Sequence, residues 1–373
     1  MKRFARHTAV LGIVLVSLAT ASAEAWERGE FESFATIPSF TPSGAAPGAA
    51  CPKGATSCTS DIEGVTVGPD GRVYTPSFGF NSEGALSGYG ELFVFAPDGQ
   101  LVEHFPVTGS SPHLIGLVYQ QSSKSVLIAD FGLGKVWEVD PKSRTTTLFM
   151  TAPTLMKTAP GLNALTIDKK GNVYVSDSFQ GVIWKTGPYG GTPTAWYAPS
   201  SQNDLLLPTA NDSEPLIPPF GANGIEFNNE GTAMFVMNTA YHSIVKIPVK
   251  SDGSADTGVT FTTGLNAPDG VAVDGDDNLW VVANQGDEIV VVDPTGKVIA
   301  KRGDFNGLTD DGSIDGLLFP ASLSFSPNGK VLYVTNLALN LPLAGVPEIA
   351  VDSAWTLQVK HYDIAKIAVR DFH

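Results

Sequence analysis

Four oxygen-bearing side chains, Glu63, Asn163, Asn223 and Asp269, stand at one register of a repeated sequence pattern. Two carboxylates and two carboxamides brought to one point would suit a hard cation, Ca²⁺ first and then Mg²⁺ or Mn²⁺. The carboxylates would balance the divalent charge, and the amides would add ligands without further repulsion. Four protein ligands would also leave coordination positions for water or substrate. Taken singly, each residue reads as a turn former ahead of a strand, as Asp269 does in APDGVAVDGDDNLWVVAN. Glu63 is not a turn former, however, and recurrence at one register favours the metal reading. Without a cation, Glu63 and Asp269 would face each other in a confined space at an electrostatic cost.

The elements that position them are visible as a repeat. Six segments begin at Glu63, Ile115, Asn163, Asn223, Asp269 and Ala321, at spacings of 52, 48, 60, 46 and 52 residues. Each is an alternating apolar run, a Gly/Asp/Asn-rich turn and a second apolar run. A third run follows, such as GVIWKTG, HSIVKIPV or DEIVVVDP, and usually a fourth. Four strands per period of about 50 residues predict an all-β, six-bladed β-propeller with four antiparallel strands per blade. The first strand of each blade then lines the central channel, so the six leading residues form a ring. The longest spacing holds the Pro-rich insertion LLLPTANDSEPLIPPFGA, which leads into Asn223 and belongs on the same face. FESFATI and TLQVKHYDI are the expected terminal strands that close the ring and remove free edges.

Bulk properties agree. The 373 residues are 43% hydrophobic and 16% charged, with 39 Gly and 26 Pro, a turn-rich mix suited to a large β domain. No basic stripe interleaved with aromatics exists, and the net charge is −15, which argues against nucleic-acid binding. Lys2, Arg3 and Arg6, the apolar run Ala9–Leu18 and the segment ATASAEA form a secretory signal over 1–25, with cleavage after Ala23 or Ala25. Its removal takes the charge from −15 to about −18. The mature protein, 26–373, is expected to be one propeller domain, secreted or periplasmic, with no stable membrane insertion. Cys51 and Cys58, in CPKGATSC, are placed for a local disulfide in an oxidising compartment.

IEGVTVGPDGRVY, GANGIEFNNEGTAMFV and APDGVAVDGDDNLWVVAN resemble motifs of the senescence marker protein/gluconolactonase family, with diisopropylfluorophosphatases and paraoxonases similar in plan. The resemblance covers about residues 60–340. It implies a propeller with Ca²⁺ in its channel that hydrolyses lactones or phosphotriesters. It also implies that Glu63, Asn163, Asn223 and Asp269 are the metal ligands, with Asp269 as base or nucleophile. Ile115 stands where some relatives place a polar contact. His113, in SPHLIGL, resembles the Pro-His of paraoxonases in another register. No clear arginine for sugar-acid recognition is identifiable.

In this reading the cation polarises a carbonyl or phosphoryl oxygen, a water or Asp269 attacks, and His113 or His242 moves protons. The substrate is a small molecule such as a lactone. A non-catalytic propeller binding protein or carbohydrate around a structural metal is the alternative. A metal-dependent lyase that opens cyclic esters is a third reading. Asp130, Asp177, Asn238, Asn284 and Asn336 end the second strands of successive blades and read as turn-capping residues. DDGSIDG (310–316) resembles the start of a calcium loop but has Ser322 where the closing Glu belongs. No Gly-x-Ser-x-Gly or thiol–His arrangement supports covalent hydrolase chemistry of the usual kinds.

Overall fold

The alternating runs form strands because β-branched and aromatic side chains fit a pleated surface, and the polar clusters between them close the turns. In the fifth repeat the Asp274 carboxylate accepts the backbone N–H groups of Asp276 and Asn278 and the Trp280 indole N–H, each at 2.9 Å. Asp277 takes the left-handed conformation that completes this turn (φ 63°). Asp168 does the same in the third repeat, accepting Lys170 and Asn172 N–H at 2.8 and 2.9 Å. These turns lie at the end of each hairpin remote from the leading residues.

The protein is described by a computed structural model over residues 28–46, 48–155, 158–201, 204–208, 220–345 and 353–369. The signal segment 1–25 and most of the Pro-rich insertion (209–219) lie outside the described residues. Among the described residues the strands form six four-stranded antiparallel sheets, the blades of a β-propeller. The innermost strands are Thr66–Val67, Leu114–Gln120, Leu162–Ile167, Ala222–Phe227, Pro268–Val273 and Pro320–Phe325. Each lies against the innermost strand of the next blade, and the sixth lies against the first. The core sits between blade faces. Phe235, Met237 and Ile244 of blade four pack with Leu279, Val281 and Val290 of blade five.

Blade six closes the ring from both ends of the chain. Pro320–Phe325, Val331–Asn336 and Asp363–Ala368 are completed by Glu32–Thr36 on the outside, within the predicted FESFATI. The C-terminal strand starts later than TLQVKHYDI implies. Thr356 ends a short helix, Ser353–Thr356, and Val359 and Tyr362 both enter the apolar core between blades six and one. Side chains three residues apart on one face do not fit the two-residue period of a strand, so strand pairing begins only at Asp363. DDGSIDG closes the hairpin Phe305–Leu308/Ile314–Gly316, where Asp311 accepts the Thr309 hydroxyl and the Ser313 N–H. Cys51 and Cys58 are bonded in the segment that leads into blade one, their Cα atoms 5.9 Å apart.

In blades one, two, four and five the innermost strands approach the next blade so closely that a side chain is excluded just after the leading residue. A methyl group on Gly270 would stand 2.7 Å from the Ala321 carbonyl oxygen. The same addition at Gly64, Gly116 or Gly224 would overlap the carbonyl of Ile115, Asn163 or Asp269 in the next blade. Gly224→Ala should therefore cost about 1–3 kcal/mol in urea unfolding. Gly275→Ala, in a far-face turn with nothing within 4 Å of the added methyl, should be neutral. Equal losses in both would show that the contact at the channel mouth does not matter.

Asp363 pairs with Thr36 at the ring closure and is 5% exposed. The Asn336 amide donates to it at 2.9 Å, yet burial pushes its carboxyl up to about 6. A pKa raised in the folded state means that folded protein holds the extra proton across that window. The contribution of Asp363 to stability is then fully present below about pH 4 and is lost as pH rises through about 6. Asp363→Asn should remove the decline, gaining about 1–3 kcal/mol over the wild type at pH 8 and little at pH 4. A difference that does not vary with pH between those two urea titrations would contradict it.

Candidate metal centre at the channel mouth

Five of the six leading residues sit inside a register irregularity of their own blade. The pairing of the first two strands shifts between Leu114 and Leu117, Leu162 and Leu165, Ala222 and Ile225, Pro268 and Val271, and Pro320 and Leu323. Ile115, Asn163, Asn223, Asp269 and Ala321 are each the first residue inside that shift. Glu63 follows the same plan between the Ile62–Ser77 bridge and the Thr66–Tyr74 pair. A bulge breaks the alternation of a strand and re-aims a side chain, here toward the axis. Neighbouring blades also hold the carbonyl before the ring residue. Ser178 donates to Ala222 O at 2.8 Å, Thr239 to Pro268 O at 2.7 Å and Asn284 to Pro320 O at 2.9 Å.

The ring residues are buried: Glu63 and Asn163 are 4% exposed, Asn223 3% and Asp269 6%. Their polar atoms divide into anchored and unanchored. The Asn223 Nδ2 donates to Thr239 Oγ1 at 2.9 Å, and Asp269 Oδ2 accepts Asn284 Nδ2 at 3.1 Å. Glu63 Oε2, Asn223 Oδ1 and Asp269 Oδ1 are buried with no hydrogen-bond partner. Burial pushes the Asp269 carboxyl up to about 8, partly offset by the amides of Asn223 and Asn284. Burial and the nearby Asp269 carboxylate raise Glu63 as well. Buried carboxylate oxygens without donors are costly on their own. A divalent cation would satisfy all three, and oxygen-only donors fit Ca²⁺ best. Among the described residues no group of three or more His, Cys, Asp or Glu is placed to hold a metal. The donors here are two carboxylates and two carboxamides.

His113 stands beside the ring rather than in it, in the loop that leads to Ile115. Its Nδ1 donates to Phe78 O at 2.9 Å, and its ring stacks on Phe80 at 4.8 Å. That bond places the proton of the neutral ring on Nδ1 and leaves a lone pair on Nε2. His242 has the opposite tautomer. Its Nδ1 accepts the Ala267 N–H at 3.0 Å, which ties down the loop that delivers Asp269.

The residues that end the second strands have separate tasks. Asp130 accepts Ser111 N–H and hydroxyl, Leu133 N–H and the Trp137 indole. Asp177 accepts Gly161 N–H, the Gln180 amide and the Trp184 indole. Asn238 holds the carbonyls of Leu205 and Leu207, and Asn336 holds Gly316 O and Asp363. Of this set, only Asn284 bonds to a ring carboxylate. Sequence reasoning missed Asp61. It is 1% exposed with Oδ2 unpartnered, its Oδ1 accepts Phe80 N–H at 2.8 Å, and burial raises its carboxyl. It precedes the repeat, so no periodic signal marks it.

Solved structures with the same fold include regucalcin of Agrobacterium tumefaciens, described as a calcium-binding protein, at 17% identity and TM-score 0.57 over 82% of this chain and 89% of that one. A gluconolactonase of Xanthomonas campestris shares 13% identity at TM-score 0.54, over 81% of this chain and 95% of that one. Virginiamycin B lyase of Staphylococcus aureus shares 13% at TM-score 0.51, over 83% and 96%. No curated protein matches the sequence. The model of the SMP-30/gluconolactonase/LRE-like region matches residues 92–302, more than half of the chain. This six-bladed propeller therefore belongs to the SMP-30/gluconolactonase/LRE-like family.

Proposed function

We propose that the protein is an exported, calcium-dependent hydrolase that opens lactones or related esters at the channel mouth. The observation that carries this reading is the set of buried, unpartnered oxygens on Glu63, Asn223 and Asp269. Membership of a family named for gluconolactonase, and folds shared with a calcium-binding regucalcin and a gluconolactonase, support it. Glu63, Asn163, Asn223 and Asp269 would hold the cation. When bound, it supplies Lewis-acid polarisation of the ester carbonyl. Export rests on the sequence of residues 1–25 and on a disulfide that suits an oxidising compartment. No helix among the described residues is long and apolar enough to cross a membrane.

The chain's own residues supply orientation and proton transfer. Asn284 fixes Asp269 by one carboxylate oxygen and leaves the other inward. Thr239 holds the Asn223 amide so that its oxygen also points inward. His113, with Nδ1 committed to Phe78 O, offers Nε2 as the base. Nε2 takes a proton from water as the water oxygen bonds to the acyl carbon. The acyl C–O bond then breaks, and the departing oxygen takes that proton back.

Purified protein should contain calcium and gain about 2.7 kcal/mol of stability at calcium 100-fold above its Kd. Glu63→Gln and Asp269→Asn should lose that gain and all lactone turnover. Both should be more stable than the wild type in EDTA, because each removes a buried carboxylate. His113→Gln should retain calcium while kcat falls about 100-fold. Metal-loaded protein that turns over no lactone, ester or phosphotriester would leave a non-catalytic binding propeller. A product carrying a new alkene would assign a lyase.

A further inference from the structure

One side of the channel mouth is built from aromatic rings that the proposed chemistry does not use. Phe131, in the loop after the second strand of blade two, is the hub. Its ring lies 6.3 Å from Phe78, 5.1 Å from Phe179 and 6.2 Å from Phe220. Phe179 and Phe220 stack at 6.0 Å, and Phe78 continues the wall to Phe80 at 5.5 Å. The wall spans the mouth-side loops of blades one, two and three and the approach to blade four. It lies directly against the ring. Phe179 covers Gly161, two residues before Asn163, so closely that a methyl there would stand 2.5 Å from the phenyl. Phe220 is three residues before Asn223, and Phe80 stacks on His113, two residues before Ile115.

Phe80, Phe131, Phe179 and Phe220 are only half-buried, although each touches another ring. A contiguous row of part-exposed apolar rings marks a binding surface. The two apolar ring residues, Ile115 and Ala321, belong to the same apolar cluster as Phe78, together with Phe319 and Leu337. The mouth is thus divided into donor oxygens on Glu63, Asn163, Asn223 and Asp269 and an apolar wall beside them. The five loops that follow the second strands of blades two to five and lead into Asp269 (131–134, 178–181, 239–242, 264–267 and 284–287) contain neither Lys nor Arg, and Lys157 in the loop before Asn163 lies outside the described residues. Against the phenyl faces the hydroxyls of a sugar lactone would lose water without a replacement partner.

We infer that the substrate is an aryl ester or a benzo-fused lactone, with its aromatic portion on the Phe131 wall and its ester group over the oxygen set. Hydrolysis then adds water across the acyl C–O bond and releases a carboxylic acid and a phenolic hydroxyl, on the same molecule when the ester is cyclic. This inference rests on the hydrolase reading of the same site, and the test separates the two.

Calcium-loaded full-length protein should hydrolyse dihydrocoumarin with kcat/KM about 100-fold or more above that for glucono-δ-lactone. Phe131→Ala should lower kcat/KM on dihydrocoumarin about 10-fold, mainly through KM, and change γ-butyrolactone less than about 3-fold. Phe131→Leu keeps the apolar volume and should fold normally while losing part of the aromatic preference. Calorimetric binding of 2-naphthol, which cannot be hydrolysed, should weaken about 10-fold in Phe131→Ala. Naphthol binding that depends on Phe131 without any ester turnover would sink the hydrolase reading and uphold the aromatic site. A preference for glucono-δ-lactone, equal losses on both lactones in Phe131→Ala, or naphthol binding indifferent to Phe131 would overturn the inference.

Discussion

Six backbones converge on one end of a narrow channel, and the rest of the structure follows from that crowding. At the start of four innermost strands the neighbouring carbonyl comes so close that Gly64, Gly116, Gly224 and Gly270 can carry no side chain, while blades three and six hold the small Ala164 and Ser322 there. The register also slips by one residue at this point in blade after blade. The slip turns the residue before each glycine toward the axis. Close approach of the backbones and the bulge thus meet at the same point of the ring.

That geometry would be neutral with six apolar residues, and two of the six, Ile115 and Ala321, are apolar. The other four carry oxygens, two of them as carboxylates, in a place where water is scarce. The cost is visible in the raised carboxyl groups of Glu63 and Asp269. Residue types of the same kind behave differently a few ångströms outward. Asp130, Asp177, Asn238 and Asn336 are saturated with N–H donors or carbonyl acceptors and tie the loops together. The contrast between saturated outer groups and unpartnered inner oxygens separates scaffold from site. Asn284 and Thr239 link the two layers, since each bonds to a ring side chain and to the backbone of the next blade.

Much of this was legible in the linear sequence. A period near 50 residues with alternating apolar runs can satisfy its cores only as stacked blades, and register alone placed Glu63, Asn163, Asn223 and Asp269 at equivalent positions. Local turn chemistry was equally legible, because Asp274 and Asp168 organise bonds within four to six residues of themselves. TLQVKHYDI reads as a closing strand from Thr356, whereas strand pairing begins at Asp363. Val359 and Tyr362 are buried by packing against blade one, a contact with residues far away in sequence.

Composition and periodicity, which act through local propensity and burial, therefore determined six blades, their order and the shared register of the ring. Tertiary structure alone decided which oxygens stay unpartnered, since that depends on donors arriving from other blades. It decided the tautomers of His113 and His242, which are set by Phe78 O and Ala267 N–H across 35 and 25 residues of chain. It also gathered Phe78, Phe131, Phe179 and Phe220 into one wall. These phenylalanines come from four separate loops, and only closure of the propeller brings such loops to one face.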